Sequence, residues 1–171
     1  MSITRVPAGV VPIVPGAGQE SVWDYPRPPR VEPVADRIRV VVNGHDLADT
    51  VRAVRVIETA GAPVYYVPLA DVNTARLVPS ERTTFCEWKS TASYLDYAVA
   101  GRRIAAIGWR YRRPNPGFEE LTDRIAFYAG KVDEAWVGDE RATPQPGGFY
   151  GGWVTSSIVG PMKGEPGSEG W

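Results

Sequence analysis

The sequence has almost none of the residues that bind structural metals or form disulfide bonds. Among 171 residues there is one cysteine, Cys86, and one histidine, His45. A single cysteine excludes an intrachain disulfide and is typical of a reducing compartment. Structural zinc sites take four Cys or His ligands, so we predict no structural zinc and no metal site. The domain is then expected to be stabilised by its hydrophobic core.

Long apolar runs and an excess of charge are also missing. No stretch approaches the ~20 apolar residues of a membrane-spanning helix. Prolines interrupt the apolar start of the chain, so it does not resemble a secretory signal. The formal net charge is −1, which gives no overall attraction to nucleic acid or to an anionic membrane. We therefore expect a cytoplasmic protein with no membrane partner and no strong nucleic-acid signal.

Glycine and proline are abundant, at 18 and 16 residues, which favours short strands joined by turns. A length of 171 residues fits one domain. Short helical turns are expected at 69–73 and 119–123. The fold class is predicted to be mostly β. Its strands are predicted at 38–42, then after the Asn43-Gly44 turn through Val56, and at 63–68, 83–89, 94–99, 102–111, 125–128 and 131–137.

The start of the chain differs from the rest in composition. Residues 1–19 are rich in Val, Pro, Gly and Ala and predict a flexible or extended arm. The following segment is rich in proline, which fixes φ and restrains its predecessor, so we expect an extended strap pinned by Trp23 and Tyr25. The chain thus divides into the arm, 1–19, and one domain, 20–171, which includes the strap and a glycine-rich C-terminal tail.

A weak internal repeat is visible. The residues around Asn43-Gly44, the strongest short hairpin signal, recur around Ala100-Gly101, and Tyr65-Tyr66 recurs as Phe127-Tyr128. One interpretation is two halves that pack as facing sheets with a cleft between them; the other is chance similarity between hairpins. His45 follows the first turn and is expected at an exposed hairpin tip, away from any site.

The segment 83–89 offers the best candidate acid/base pair. Because side chains two apart share one face of a strand, Glu87 and Lys89 are predicted to lie together, with Cys86 on the opposite face. In a cleft they could act as an acid/base and an anion-binding group. On an open face they would form a surface ion pair of little energetic worth. Cys86 is interpreted as a small core residue, since no base accompanies it.

Aromatic residues are dense on the predicted strands. They are either ordinary core or a cage for a planar ligand or a cation, for which we select Tyr66, Tyr94 and Trp109. The loop Pro144–Trp153 contains four glycines and three aromatic residues. Glycine lets backbone pass close to a flat group, so this loop is either a turn plugged into the core or a wall of a ligand cleft that includes Trp153. Lys163, in the glycine-rich tail, could hold phosphate, although the spacing does not match a P-loop.

These segments together resemble a known bacterial family, domain-of-unknown-function family 427, over Val22–Trp171. The segments that carry the resemblance are Val-Trp-Asp-Tyr-Pro-Arg-Pro-Pro-Arg at 22–30, Arg-Val-Ile-Glu-Thr at 55–59, Pro-Val-Tyr-Tyr at 63–66, Cys-Glu-Trp-Lys at 86–89, Trp109, Ala-Phe-Tyr at 126–128, Pro-Gln-Pro-Gly-Gly-Phe-Tyr-Gly-Gly-Trp at 144–153 and Gly-Pro-Met-Lys-Gly at 160–164.

The resemblance implies a β-tent: two small antiparallel sheets that meet at an angle, with a pocket near the join. Methionine sulfoxide reductase B and the thalidomide-binding domain of cereblon share that fold. Many β-tents carry a four-cysteine zinc site, which this chain cannot form. The family also bears a nucleotidyltransferase label, but the Gly-Ser…Asp-x-Asp pattern of common nucleotidyltransferases is absent. A shared fold does not establish a shared function.

Three hypotheses for the function follow. We favour binding of a small planar or nucleotide-like ligand in an aromatic-lined cleft. The second is a nucleotidyltransferase-type enzyme with Mg²⁺ as cofactor. The third is an interaction module whose strap and arm bind another chain, or a second copy to form a homodimer. The candidate catalytic residues are Glu87 and Lys89, and the candidate ligand-binding residues are Tyr66, Tyr94, Trp109, Trp153 and Lys163.

Overall fold

Hydrogen bonds between short strands build most of the regular structure in residues 6–171, which the computed structural model describes. The mostly β prediction is confirmed; residues 1–5 of the predicted arm lie outside the described residues. Four 3₁₀ turns occur in that range, at Val22–Asp24, Leu69–Asp71, Thr74–Arg76 and Glu119–Leu121. The strands are β1 (Glu20–Ser21), β2 (Arg30–Pro33), β3 (Ile38–Val42), β4 (His45–Thr50), β5 (Val54–Ile57), β6 (Val64–Pro68), β7 (Leu77–Cys86), β8 (Ser90–Val99), β9 (Arg102–Arg110), β10 (Arg124–Phe127), β11 (Glu134–Val137), β12 (Glu140–Arg141), β13 (Thr143–Pro144), β14 (Trp153–Val154) and β15 (Ile158–Val159).

Two antiparallel sheets dominate the architecture. One has seven strands in the order β2-β5-β6-β10-β9-β8-β7, and the other has four in the order β12-β11-β3-β4. Two short pairs complete them, parallel β1–β15 and antiparallel β13–β14. Because β6 pairs with β10, strands from both halves of the proposed repeat share the larger sheet. The halves therefore do not form separate facing sheets.

The hairpin predicted at Asn43-Gly44 is confirmed. Both turn residues have positive φ, 55° at Asn43 and 72° at Gly44, as the tight turn between two twisted strands requires. β3 and β4 flank them, and His45 is exposed beside the turn.

Alternation along the central strands separates two hydrophobic clusters on opposite faces of the seven-stranded sheet. On β6, Tyr65 packs with the four-stranded sheet in the main core, whereas Tyr66 points to the other face. β10 repeats the pattern, with Phe127 in the main core and Ala126 on the Tyr66 side. The period of two in each strand thus delivers one set of rings to the core and another to the second face.

A bulge in β9 adjusts the register next to these rings. Across it, Leu95 pairs with Gly108 while Tyr97 pairs with Ile104. Ala106 in the bulge has φ of 47°, a conformation that costs energy for a residue with a side chain. The buried Asp96 carboxylate holds it by accepting the Ala106 amide at 2.7 Å and pairing with Arg103 at 3.1 Å. Beyond the bulge, Tyr94 lies opposite Trp109.

A third cluster joins the strap to the C-terminal tail. Trp23 and Tyr25 are the buried aromatic residues of the strap, as predicted. The Trp23 indole N–H donates to the Pro161 carbonyl at 2.9 Å, and its ring contacts Trp171 edge-on with centroids 5.4 Å apart. The Ile13 amide of the arm donates to the Gly160 carbonyl at 2.9 Å. No helix within residues 6–171 has the length and apolar character needed to cross a bilayer.

Asp96→Asn is expected to remove a pH-dependent part of the stability. The Ala106 amide and Arg103 hold the pKa of Asp96 below its ordinary value near 3.8. A carboxyl group whose pKa is lower in the folded protein than in the unfolded chain stabilises the fold at pH values above the unfolded-chain pKa. This stabilisation is lost as the pH falls through the pKa of the folded protein. Urea unfolding should show a loss of about 1–2 kcal/mol at pH 7 that shrinks below pH ~3.

The exposed Asp139→Asn serves as the control for that comparison, and its unfolding free energy should match the wild type within about 0.5 kcal/mol. A loss in Asp96→Asn that is the same at every pH would assign the effect to packing and not to the carboxylate charge.

Candidate functional site

An open cleft lies on the second face of the seven-stranded sheet. Its floor comes from β5, β6, β8 and β9, and its walls come from the β7–β8 hairpin, residues 58–62, the loop 145–152 and Lys163. The cavity has a volume of about 300 Å³, at the small end of ligand sites. That volume suits one or two rings with a small substituent.

Five packed rings, which we call the aromatic cluster, form the floor. Trp109 is central: its ring centroid lies 4.6 Å from that of Tyr128 and 6.4 Å from those of Tyr66 and Tyr94. Each ring is more than nine-tenths buried, so the floor is preformed. Its members are Tyr66, Tyr94, Trp109, Tyr111 and Tyr128.

The hydroxyl groups of Tyr66 and Tyr111 in the aromatic cluster stay protonated at neutral pH. Burial raises the pKa of Tyr66, and likewise of Tyr111, well above the ordinary value near 10.0. The Trp109 indole N–H donates to the Tyr66 hydroxyl at 3.4 Å, and the hydroxyls of Tyr94 and Thr84 lie 3.0 Å apart. The floor therefore offers ring surface and neutral hydroxyls.

The loop Pro144–Trp153 passes flat against this floor. A Cβ at Gly151 would overlap the Trp109 ring, so the loop backbone approaches closer there than any side chain allows. At the other end of the loop, a Cβ at Gly147 would lie 2.8 Å from the Gly164 Cα. The sequence predicted that the glycines let the loop backbone pass close to a flat group. That group is the Trp109 ring of the protein itself, and the same loop also lines the cleft.

Gln145 ties the walls together, and we call its contacts the Gln145 clamp. Its side chain is 3% exposed. Oε1 accepts the Ala62 amide at 2.9 Å, and Nε2 donates to the Lys163 carbonyl at 3.0 Å. The Gln145 amide donates to the Gly152 carbonyl at 2.9 Å. The buried Gln145 residue is thereby bonded to three separate segments of the chain, at Ala62, Gly152 and Lys163.

Two lysines bring positive charge into the cleft. Lys163 is partly buried; burial lowers its pKa from the ordinary value near 10.5, the charge of Arg27 acts in the same direction, and Glu58 opposes both. Lys89 reaches the cleft from the β7–β8 turn, with Nζ 5.8 Å from the Tyr111 ring centroid. In residues 6–171 neither ammonium group has a carboxylate within 4.0 Å. An anionic group on a ligand would supply that partner.

Two predicted site residues lie elsewhere. β7 ends at Cys86, so residues 87–89 form a turn and not a strand face. Glu87 is exposed there and does not line the cavity, because Asn115 anchors the turn by donating to the carbonyls of Glu87 and Trp88. Trp153 is 1% exposed in the main core, and its indole N–H donates to the Phe127 carbonyl at 2.9 Å. Its face is covered, so it does not reach the cleft.

The other candidates meet at one place. Tyr66, Tyr94, Trp109, Lys89 and Lys163 all line the cavity. Cys86 is half-buried against the aromatic cluster and also lines the cavity. The prediction that it lies on the face opposite Lys89 is therefore wrong, because residues 87–89 leave the strand and turn.

Sequence reasoning missed several lining residues. Alternation with Trp109 could have added Tyr111, and the Ala-Phe-Tyr segment could have added Tyr128. No local pattern marks Gln145, because its role depends on segments far away in the chain. The missed lining residues also include Phe85, Phe149 and Tyr150.

Within residues 6–171, no three His, Cys, Asp or Glu side chains come together in a way that could hold a metal ion. The cleft lining contributes one carboxylate, Glu58, which pairs with Arg27 at 3.8 Å. These residues do not fit a protein-bound magnesium site, which takes its ligands from carboxylates and waters.

Comparison with family models identifies the family of the chain's central part. The model of the family described as Domain of unknown function (DUF427), named NTP_transf_9, matches residues 30–138. No curated protein matches the chain. The matched range contains all five rings of the aromatic cluster and Lys89, whereas the Gln145 clamp and Lys163 follow it.

Gln145→Ala is expected to lower the free energy of unfolding by about 2–4 kcal/mol, because it leaves a buried donor and a buried acceptor unpaired. The matched control is Gln19→Ala. Gln19 makes the same two kinds of bond, to the Gly16 amide and the Ser156 carbonyl, but it is exposed.

Urea unfolding should show a loss below about 1 kcal/mol for Gln19→Ala, since water replaces both bonds. Equal losses in the two variants would mean that burial does not set the strength of the Gln145 clamp.

Proposed function

The chain belongs to the family described as domain of unknown function 427, and we propose that this member binds a small planar ligand with an anionic group in the aromatic cleft. One observation carries the proposal: a preformed floor of packed rings lies beside two lysines that have no carboxylate partner in the described residues. The rings favour a planar apolar body, and the ammonium groups favour a negative charge at its edge.

The shape of the cleft supports a limited ligand size. A volume of about 300 Å³ accommodates a heterocycle with a carboxylate, or the base of a nucleoside monophosphate whose phosphate lies at the mouth. Lys163 adds pH dependence in this proposal, because an anion beside it would raise its lowered pKa and favour proton uptake on binding.

Nucleotidyl transfer is a second candidate, favoured by the family name and by the position of Lys163. Lys163 and Lys89 would hold the phosphates of a nucleotide. Glu87 is exposed outside the cavity, and the residues present offer no magnesium site of their own, so we derive no transfer step. A cytoplasmic location and a homodimer stay predictions of the sequence.

The binding proposal is tested by calorimetry with matched ligand pairs, adenosine 5′-monophosphate against adenosine and nicotinate against nicotinamide. In at least one pair the anion should bind about tenfold or more tightly than its neutral partner, because a hydrogen bond to a charged group contributes about 1.5–3 kcal/mol. Lys89→Gln/Lys163→Gln should abolish the preference, while Arg37→Gln, an exposed cation outside the cleft, should retain it.

Cys86 gives an independent readout, since it is the single thiol and lines the cleft. A bound ligand should slow its alkylation by iodoacetamide. Absence of both heat and protection across the four compounds would contradict the proposal. Release of pyrophosphate from ATP and magnesium, lost in Lys163→Gln, would favour nucleotidyl transfer instead.

A further inference from the structure

Positive charges without an ion-pair partner gather at the mouth of the cleft. Most arginines elsewhere in residues 6–171 are neutralised by carboxylates, as in the pairs Arg37–Asp49, Arg52–Asp71 and Arg102–Asp133. Nine cations in that part of the chain have no carboxylate within 4.0 Å. Four of them donate to other protein oxygens: Arg76, Arg124, Lys131 and Arg141. The remaining five, which we call the cationic rim, lie at the cleft or next to its β7–β8 wall. They are Arg82, Lys89, Arg112, Arg113 and Lys163.

Contacts place three members of the cationic rim at the cleft and the backbone of the other two next to the β7–β8 turn. Lys89 and Lys163 line it, and the Arg82 guanidinium lies 4.5 Å from the centroid of the Tyr94 ring. The segment with Arg112 and Arg113 is attached to the β7–β8 turn, because Ser90 Oγ donates to the Arg113 carbonyl at 3.0 Å.

The mouth of the cleft has fewer acidic residues than basic ones. Glu58 is paired with Arg27, and Glu81 and Glu87 are exposed beside Arg82 and Lys89. A net charge of −1 for the whole chain therefore coexists with a local excess of positive charge at the cleft.

Exposed rings flank the same mouth. Phe85 on β7 is 77% exposed and Phe149 on the glycine-rich loop is 67% exposed, and both line the cleft. The Phe149 ring contacts that of Tyr150, 5.2 Å away and perpendicular. Trp88 in the β7–β8 turn is also partly exposed. Large rings left in water beside a binding site mark a surface that a partner covers.

We infer that the cleft and its mouth bind single-stranded nucleic acid, with one base on the aromatic cluster, neighbouring bases on Phe85 and Phe149, and phosphates on the cationic rim. The inference rests on the proposed function, since the base is the planar ligand and its phosphate the anionic group. Stacking on exposed rings combined with basic side chains is how proteins hold single strands. An acidic peptide would use the cations but leave the planar floor and the exposed rings without partners.

Fluorescence anisotropy with labelled hexathymidylate, compared with competition by thymidine 5′-monophosphate, tests the inference on the full chain. The hexamer should bind at least about fivefold more tightly, the gain from one further stacked base. If three phosphates are contacted, its affinity should fall about twentyfold between 50 and 200 mM salt.

Double variants separate the contribution of the exposed rings from that of the cations. Phe85→Ala/Phe149→Ala should weaken the hexamer by a larger factor than it weakens the mononucleotide, with Val51→Ala, 68% exposed outside the cleft, as control. Arg112→Gln/Arg113→Gln should reduce the salt dependence, whereas Arg37→Gln/Arg52→Gln, which removes the same charge elsewhere, should not. Both arginine variants alter exposed residues, so folding can be checked by thermal unfolding.

The outcomes distinguish this inference from the proposed function. Equal affinity for hexamer and mononucleotide would overturn the inference and leave small-ligand binding intact. Displacement of the hexamer by hexaglutamate at equal concentration would overturn it in favour of an acidic peptide. If nicotinate binds and neither thymidylate does, the inference fails alone; if no compound binds, both fail.

Discussion

The buried amide of Gln145 is the contact on which the shape of the cleft depends. Residues near 62, 152 and 163 lie outside the two main sheets. Two backbone hydrogen bonds join them, from the Trp153 amide to the Pro63 carbonyl and from the Lys163 amide to the Ala60 carbonyl. One side chain donates to the Lys163 carbonyl and accepts from the Ala62 amide. Because both bonds are shielded from water, their geometry sets the distance between the walls. The backbone of Lys163 is held at both its amide, by the Ala60 carbonyl, and its carbonyl, by Gln145.

Floor and walls of the cleft have different mechanical origins. The rings stand on neighbouring strands of a seven-stranded sheet, where Tyr94 and Trp109 lie opposite each other. Sheet hydrogen bonds and mutual packing hold them before any ligand arrives. The walls are a hairpin turn and a glycine-rich loop, whose backbones are fixed at a few points. The cleft therefore combines a rigid floor of rings with walls in which a few side chains determine the charge and polarity.

Patterns local to the chain predicted most of the central strands and the Asn43-Gly44 hairpin, since alternation and turn chemistry act over a few residues. Tyr66, Tyr94 and Trp109 are selected as one cage for their ring type, and they meet in the structure. Contacts between segments far apart in the chain could not be predicted from local patterns. The end of β7 at Cys86 depends on Asn115, which comes from another segment. Trp153 enters the main core because the Phe127 carbonyl accepts its indole N–H there. Sheet order and the Gln145 contacts likewise arise only when distant segments meet.

Close packing at two glycines limits which substitutions the loop Pro144–Trp153 can accept. Insertions or larger side chains at 147 and 151 are blocked by Gly164 and by the Trp109 ring. Between them, a Cβ at Gly148 would meet no atom within 4 Å, although its φ of 69° favours glycine or asparagine, and Phe149 points to solvent. A larger residue at 147 or 151 would therefore force the backbone to move, whereas residues 148–150 are the part of the loop where a side chain can change without displacing it.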